Sequence, residues 1–351
     1  NRALSLLADC GRGEVIGSFA REGGVESALW AGPEHLGGAR RTGAARGGPR
    51  TRSVSIELGY AADDFGYLVD FGLPQAVETA FARDPEVKRE LVFAGPVPRP
   101  TTTLVRRVRG LVEVASEHGR GFDELSRNLP AHRSVLADWS GATPELVMVR
   151  ERLRDWRFYD GFRADADAPA RRPHVGTRTP VLADDGSDLA AAVQTILETG
   201  TDDLARAVAA AFDGATVSVS VTDGLFDLNL HQRGMLRPLR SAEISDGTLR
   251  FPLWAAALLS PQPPSLMVLN EPETSLHPDL VPPLAELVAA AATGTQVIVV
   301  THSATLRERL AAAPIGSDED AWEIELAKNW GETQICGQGL LTTPPWDWGK
   351  R

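Results

Sequence analysis

The last third of the chain alternates between short apolar runs and longer amphipathic stretches. The runs SLMVLN (265–270) and TQVIVVTH (295–302) are each followed by a stretch in which apolar residues recur at helical spacing. A third helical stretch, 241–260, comes before the first run. Because apolar strands that alternate with helices are covered on both faces, this pattern predicts an α/β fold with a mostly parallel core sheet.

The first two-thirds of the chain carry different patterns. Apolar and polar positions alternate on both sides of Asp63 and Asp64, which predicts a hairpin in an antiparallel sheet. Helical spacing follows further on, and a second hairpin is predicted to turn at Asp223 and Gly224. We therefore divide the chain into an N-terminal part with a helix and an antiparallel β-subdomain, a helical insertion and a C-terminal α/β lobe, at 1–125, 126–215 and 216–351.

The composition is that of an ordinary globular protein, with 43% hydrophobic and 24% charged residues. A formal net charge of −11 argues against a protein that coats nucleic acid through its overall field. Cys10 and Cys336 fit no metal-ligand spacing, so we expect a reducing cytoplasm. The longest apolar run, LWAAALLS, is too short to cross a bilayer, and we expect no membrane partner.

Polar side chains stand at the ends of both apolar runs. Asn270 and Glu271 end the first run, and Thr301 and His302 end the second. Because the carboxyl ends of parallel strands meet at one edge of a sheet, these residues are candidates for a common site. A carboxylate at Glu271 can orient an attacking water, and an imidazole at His302 can reach a terminal phosphate. The alternative is that Glu271 caps the next helix and His302 is a hydrogen-bonded histidine of the core.

The stretch SDGT places Ser245, Asp246, Gly247 and Thr248 at the start of a predicted helix. Free backbone amides and the positive end of the helix dipole make such a position an anion site. Gly247 lets a phosphate approach the backbone closely. An ordinary N-cap at Ser245 would also explain this stretch. It would not explain the order of an anion-binding helix start, an acid-tipped strand and a histidine-tipped strand.

Four short motifs occur in an order that is specific in combination. SDGT resembles the signature motif of ABC-type ATPases, LMVLNE resembles Walker B, SLHP (275–278) resembles the D-loop, and VVTHS resembles the switch-histidine strand. The chain therefore resembles an ABC-type, AAA-like P-loop ATPase of the RecF, SMC and OLD kind. The resemblance implies the P-loop NTPase fold of an ABC-type ATPase head, with ATP and Mg²⁺ as cofactors.

The resemblance also implies roles for individual residues. Glu271 would be the catalytic carboxylate, and His302 would contact the γ-phosphate. Ser275 and His277 would lie along the seam of a head-to-head homodimer. The nucleotide held by one subunit would be contacted by the signature residues of the other, which are Ser245, Asp246, Gly247 and Thr248.

Asn270 departs from the family pattern, because Walker B normally carries an aspartate on the magnesium side. An amide oxygen can accept a hydrogen bond from a magnesium-bound water, but it adds no negative charge. Since magnesium keeps most of its waters in proteins, we expect weaker metal affinity with the geometry kept.

The phosphate-binding loop is absent from the sequence. Its pattern, G-x-x-x-x-G-K-[ST], needs a lysine followed by serine or threonine. The lysines of the chain are Lys88, Lys328 and Lys350, and each is followed by arginine or asparagine. The opening NRALSLLADC resembles the helix that directly follows this loop in such ATPases. We therefore expect the chain to begin downstream of the loop of its parent protein and to bind ATP poorly by itself.

Two arginine-rich stretches are candidates for contacts with DNA, on which RecF and SMC relatives act. Such segments grip phosphates without sequence preference, although a solvated loop that balances an acidic protein is the commoner explanation. The first stretch contains Arg40, Arg41, Arg46, Arg50 and Arg52, and the second contains Arg106, Arg107 and Arg109.

Three hypotheses for the function follow. The first is an ATPase that alternates between monomer and ATP-clamped homodimer in DNA repair or genome defence, with a nuclease or repair protein as partner. The second is a non-catalytic ATP-dependent clamp or scaffold, which Asn270 favours. The third is an unrelated α/β module that binds another anion at the same helix start.

Overall fold

The computed structural model describes residues 1–32, 54–74, 80–116, 121–139, 141–313, 321–329 and 331–337. Within this part of the chain there are two compact units. The described residues from 2 to 154 and those after 322 form the N-terminal unit, while Asn1 and the described residues from 155 to 322 form the C-terminal unit. The boundary at residue 155 differs from both predicted boundaries, which lie after residues 125 and 215.

The described part of the N-terminal unit contains a six-stranded antiparallel sheet whose strands pair in chain order. Its strands are β1 (Ile56–Ala61), β2 (Phe65–Gly72), β3 (Glu86–Ala94), β4 (Thr103–Val108), β5 (Leu111–Ala115) and β6 (Phe122–Ser126). The register pairs Ala61 with Gly66, so the first hairpin turns at Asp63 and Asp64 as predicted. The predicted N-terminal antiparallel subdomain is confirmed.

Short helices accompany this sheet. They are α1 (Arg2–Arg12), α2 (Val15–Arg21), α3 (Val25–Ala28), α4 (Val135–Asp138) and α5 (Pro144–Asp155). The buried residues of α1 include Leu7, Ala8 and Cys10. Burial raises the pKa of the Cys10 thiol, because a thiolate is poorly solvated among apolar neighbours.

A buried ion pair joins β3 to β4. The Arg107 side chain is fully enclosed, and its Nη1 lies 2.6 Å from Oε2 of Glu90. The Glu90 carboxylate also accepts hydrogen bonds from the hydroxyls of Tyr67 and Ser134 and from the backbone N–H of Val135. The guanidinium donates in addition to main-chain carbonyls at positions 109, 130 and 133. These hydrogen bonds offset the free energy lost when the two charges are removed from water.

This burial corrects the expectation for the second arginine stretch. Arg107 cannot reach a nucleic acid, because its guanidinium is enclosed. Arg106 is exposed, but its Nε and Nη2 both donate to the carboxylate of Glu113 on β5. The difference arises because neighbouring residues of a strand point to opposite faces of the sheet.

The C-terminal unit contains two sheets. Their strands are β7 (Arg157–Tyr159), β8 (His174–Val175), β9 (Thr216–Thr222), β10 (Leu225–His231), β11 (Leu239–Arg240), β12 (Leu266–Asn270) and β13 (Gln296–Val300). One sheet is parallel and three-stranded, with β12 between β7 and β13. The predicted parallel core sheet is therefore confirmed.

Five helices of the C-terminal unit belong to the described residues. They are α6 (Leu189–Leu197), α7 (Asp203–Ala211), α8 (Asp246–Leu258), α9 (Val281–Ala291) and α10 (Ala304–Ala312). Every residue of α8 from Phe251 onward is buried. The ring of Trp254 packs edge-on against Tyr159 of β7 and Phe162, with centroid distances of 6.3 and 4.8 Å. This apolar packing anchors α8 in the core.

The strand β7 comes from the segment 126–215, which the sequence pattern assigns to a helical insertion. Phe158 and Tyr159 pair in parallel with Val268 and Leu269 of β12. A strand of three residues is too short to show a periodicity, and it directly follows the helical pattern of α5. The segment therefore supplies a strand of the core sheet as well as helices.

The second sheet is antiparallel and is arranged around β10. β9 pairs along the whole of β10, and the short strands β8 and β11 pair with its other edge. The β9–β10 hairpin turns at Asp223 and Gly224, as predicted, with φ values of 51° and 77°. Two consecutive left-handed residues are typical of the tight turn that matches the twist of a hairpin.

β13 is less buried than the continuous apolar run predicts. Gln296 is exposed and the four following residues are only partly buried, whereas β12 is buried from Leu266 to Leu269. Among the strands that the structure describes, β13 pairs only with β12. Its position at the edge of the sheet explains the exposure.

Near the end of the described chain, β14 (Leu326–Asn329) and β15 (Glu332–Ile335) form an antiparallel ribbon. This ribbon belongs to the N-terminal unit. Within the described ranges no helix combines the length and the apolar character that crossing a membrane requires.

We predict that Arg107→Ala destabilises the fold far more than Arg106→Ala. The first change leaves the Glu90 carboxylate buried without its cation, and breaking a buried pair in this way costs about 3–5 kcal/mol. The second change removes an exposed pair, which is worth about 1 kcal/mol or less. Urea denaturation of the two variants measures the difference, and equal losses would contradict this assignment.

Candidate functional site

The two polar strand ends lie side by side. Asn270, the last residue of β12, is in register with Val300, the last residue of β13. The backbone N–H of Glu271 donates to the carbonyl oxygen of Val300 at 2.7 Å. Glu271 and Thr301 therefore leave adjacent parallel strands at the same level of the sheet.

The side chains of Glu271 and His302 approach each other at this edge. Nε2 of His302 lies 3.5 Å from Oε1 of Glu271. The histidine side chain is 87% exposed and the glutamate side chain is 43% exposed, so both are accessible to a ligand. The alternative that His302 is a core histidine is wrong.

The loop after β12 holds two non-glycine residues in the left-handed conformation. Glu271 has a φ of 47° and Ser275 has a φ of 63°. Such a conformation costs a non-glycine residue about 1–3 kcal/mol, so the surrounding structure must hold it in place. Glu271 does not cap the next helix, because the 3-10 helix Pro278–Leu280 is capped by His277, whose Nδ1 accepts from the N–H of Asp279 at 3.4 Å. The alternative that Glu271 is a helix cap is wrong.

The predicted helix start is found at α8. Ser245 is the N-cap, and its hydroxyl oxygen accepts from the backbone N–H of Thr248 at 3.3 Å. The same hydroxyl donates to Oγ1 of Thr248 at 2.8 Å. Ser245 thus caps the helix as the simpler explanation requires, and a contact between Ser245 and a nucleotide stays a prediction.

The first turn of α8 lies against the loop that begins at Glu271. A Cβ placed on Gly247 would stand 3.2 Å from the carbonyl oxygen of Ser275, closer than most side chains can come. Nη1 of Arg250 donates to the carbonyl of Thr274 at 3.1 Å. The structure therefore joins the SDGT stretch to the loop after β12 within one chain.

Arg171 fixes the segment that leads into α8, and no pattern in the sequence singles this residue out. Its guanidinium is buried and donates to the carbonyl oxygens of Ser241 and Ile244 at 3.1 and 2.6 Å. It also lies 2.6 Å from the carboxylate of Asp246. A planar group with five N–H donors can hold several acceptors at once. It also donates to the nearby carbonyl oxygens of Ala164 and Asp165. Its partners at the start of α8 are 70 or more residues away along the chain, so local sequence carries no signal for that contact.

The residues at the strand end fit a magnesium ion only together with a nucleotide. Among the described residues no cluster of three His, Cys, Asp or Glu side chains could hold a metal. Asn270 is partly exposed and offers an amide oxygen, and Glu271 offers a carboxylate. Since magnesium takes most of its ligands from water and phosphates, this set suits an ion that arrives with ATP and contacts Asn270 through water.

The remaining site predictions are not resolved by this geometry. Ser275 and His277 lie exposed in the loop after β12, and their place in a dimer seam stays a prediction. The first arginine stretch, predicted to contact DNA, lies outside the described residues and comprises Arg40, Arg41, Arg46, Arg50 and Arg52.

The fold and the site define a class of protein. Glu271 and His302 stand at the ends of adjacent parallel strands, and the helix that starts at SDGT contacts the loop between them, which fits the P-loop ATPase class. The chain belongs to the family of AAA domains described as "AAA domain, putative AbiEii toxin, Type IV TA system", whose model matches residues 2–308. No curated protein matches the chain.

Solved structures of SMC head domains are similar at low sequence identity. The Smc head domain with an extended coiled coil bound to the C-terminal domain of ScpA, derived from Pyrococcus furiosus, is 9% identical with a TM-score of 0.43, over 95% of this chain and 85% of that chain. An SmcHead bound to the C-winged helix domain of ScpA is 10% identical with a TM-score of 0.39, over 78% and 74%. The SMC head domain from Thermotoga maritima is 12% identical with a TM-score of 0.31, over 71% and 68%.

We predict that Asn270→Asp in the intact protein lowers the magnesium concentration that gives half-maximal ATP hydrolysis by about threefold or more, because it restores a negative charge beside the ion. A magnesium titration of the hydrolysis rate measures this concentration. Asn128→Asp, at an exposed position of the N-terminal unit, makes the same change in charge and is expected to have no effect. An unchanged magnesium dependence for Asn270→Asp would argue against the role of this position.

Proposed function

We propose that the intact protein is an ATPase that binds and hydrolyses ATP between two copies joined head to head. The observation that carries the proposal is the 3.5 Å approach of Glu271 and His302 at the ends of adjacent parallel strands. The family supports the ATPase class. The homodimer and the roles of single residues are our inference from the site.

Glu271 is the proposed general base that orients the attacking water and takes its proton. Its Oε1 faces His302, and its Oε2 accepts from the hydroxyl of Thr274 at 3.2 Å. The carboxylate is thereby held in one orientation while it remains accessible. A positioned base of this kind contributes about 10²–10⁴-fold to a rate.

His302 is the proposed contact to the γ-phosphate. Its side chain is more exposed than that of Glu271, and an imidazole N–H can donate to a phosphate oxygen. When bound, Mg²⁺ supplies the positive charge that offsets the negative phosphates.

The start of α8 is the proposed contact to the nucleotide of the second copy. Its first-turn amides that the Ser245 hydroxyl does not cap are free to donate, and the positive end of the dipole favours a phosphate there. The carboxylate of Asp246 would oppose this, but it pairs with the buried guanidinium of Arg171 at 2.6 Å. In this proposal Ser245, Gly247 and Thr248 are left facing the partner's phosphates, and Ser275 and His277 line the seam.

A second candidate is a non-catalytic clamp that binds ATP without turning it over. Asn270 favours it, because the loss of the Walker B negative charge weakens the magnesium site. A third candidate, a module for another anion, would use the same capped start of α8. DNA, a nuclease or repair partner, a role in repair or genome defence and a cytoplasmic location also belong to the proposal.

Residues 1–351 alone are proposed to bind ATP weakly. They supply no lysine followed by serine or threonine and hence no loop that cradles the β- and γ-phosphates.

Isothermal titration calorimetry of residues 1–351 with ATP and magnesium is expected to give a Kd above about 1 mM, because one weak site with no phosphate loop provides less than about 4 kcal/mol of binding free energy. The intact protein is expected to bind at least about tenfold more tightly. A Kd well below 1 mM for residues 1–351 would contradict the prediction.

Glu271→Gln in the intact protein is expected to lower hydrolysis by about 100-fold or more and to leave an ATP-bound dimer that survives size-exclusion chromatography. Glu286→Gln, at an exposed position of α9, is the matched control and should behave like the natural protein. An unchanged lifetime of bound ATP in Glu271→Gln would favour the clamp. The absence of any nucleotide dependence would favour the module for another anion.

A further inference from the structure

A second pair of side chains links the loops after β12 and β13, next to Glu271 and His302. Oγ1 of Thr301 donates to Oε1 of Glu273 at 2.5 Å, and it accepts from the backbone N–H of Ser303 at 2.9 Å. We propose that Glu273 and Thr301 are positioning residues that hold His302 against Glu271. The proposal rests on the ATPase function proposed above and adds two residues to that site.

His302 needs such support because its own side chain has little. The imidazole is 87% exposed, and within the described ranges its ring nitrogens make no hydrogen bond beyond the 3.5 Å approach to Glu271. The backbone on either side of it must therefore set its direction. Thr301 is fixed by Glu273, and Ser303 is fixed as the N-cap of α10, where its hydroxyl accepts from the N–H of Leu306 at 3.2 Å. His302 lies between these two fixed residues.

The chemistry of Glu273 explains why a carboxylate suits this position. A carboxylate can only accept, so the hydroxyl of Thr301 must donate to it and turns its lone pairs toward the N–H of Ser303. The direction of both hydrogen bonds is thereby defined. An amide at position 273 could present either end to Thr301 and would leave the turn less well determined.

The Glu273 carboxylate also has an energetically unfavourable feature. Its Oε2 is buried and has no hydrogen-bond partner among the described residues. A buried acceptor without a partner costs about 1–3 kcal/mol, and groups that serve stability alone rarely retain it. The loop around Glu273 is nevertheless held firmly, since its carbonyl accepts from the N–H of Leu276 at 3.0 Å. Because the loop is held by its backbone, the unpartnered carboxylate is not needed to hold it. We infer that the carboxylate serves the neighbouring site.

The first experiment measures ATP hydrolysis by Thr301→Val and Thr301→Ser in the intact protein. Valine keeps the shape but removes the hydroxyl, so kcat is expected to fall about tenfold while the KM for ATP stays within about twofold. Serine keeps the hydroxyl and is expected to restore kcat to within about twofold. Thr293→Val, at an exposed position after α9, is the matched control and should leave kcat unchanged.

Glu273→Ala is expected to reproduce the kcat loss of Thr301→Val, and the double variant is expected to be no slower than either single variant. This prediction also covers the case in which Thr301→Val does not fold. Losses that multiply, or a tenfold loss in Thr301→Ser as well, would overturn the pairing of the two side chains.

A cycle with His302→Ala tests whether the pair acts through the histidine. If it does, adding Thr301→Val to His302→Ala lowers kcat by less than about twofold, because the positioned group is already gone. A further tenfold loss in that background would overturn the proposal. Normal rates in both His302→Ala and Glu271→Gln would instead contradict the ATPase site itself, and a slow His302→Ala with a normal Thr301→Val would contradict only the positioning.

Discussion

The parallel register of β12 and β13 is the constraint on which the candidate site depends. It sets Asn270 beside Val300 and lets the N–H of Glu271 bond to the carbonyl of Val300. A slip of one residue would displace one loop by about 3.3 Å and would turn its side chains to the opposite face. The approach of Glu271 to His302 and the bond from Thr301 to Glu273 would both be lost. The residues that enforce the register are apolar, and β12 is buried on both faces.

The polar site is exposed, but the elements that carry it are anchored in a dry core. α8 is buried from Phe251 to its end, and its first turns contact the loop after β12. Arg171 then fixes the approach to that helix through carbonyls and the carboxylate of Asp246. Packing thus sets the position of the backbone, and a few directed hydrogen bonds set the orientation of the exposed groups.

Sequence reasoning succeeded where the signal is local. The hairpin turns at Asp63–Asp64 and Asp223–Gly224 depend on adjacent residues, and the adjacency of the two strand ends follows from the topology of a parallel sheet. It failed where the partner is distant in sequence. β7 is too short to show a period, Arg107 pairs with Glu90 on the neighbouring strand, and the acceptors through which Arg171 holds the start of α8 lie 70 or more residues away. The two positioning residues, Glu273 and Thr301, look like loop residues until the register brings them together.

The left-handed backbone of Glu271 has a consequence for how this position can change over evolution. Glycine or asparagine would adopt the observed φ of 47° more readily than glutamate does, by about 1 kcal/mol. Selection for a more robust fold alone would therefore favour replacement of the acid. In a lineage that no longer used the carboxylate, this difference in free energy would weakly favour substitutions that remove it. The residue at this turn in a descendant would therefore show whether the chemistry had been kept.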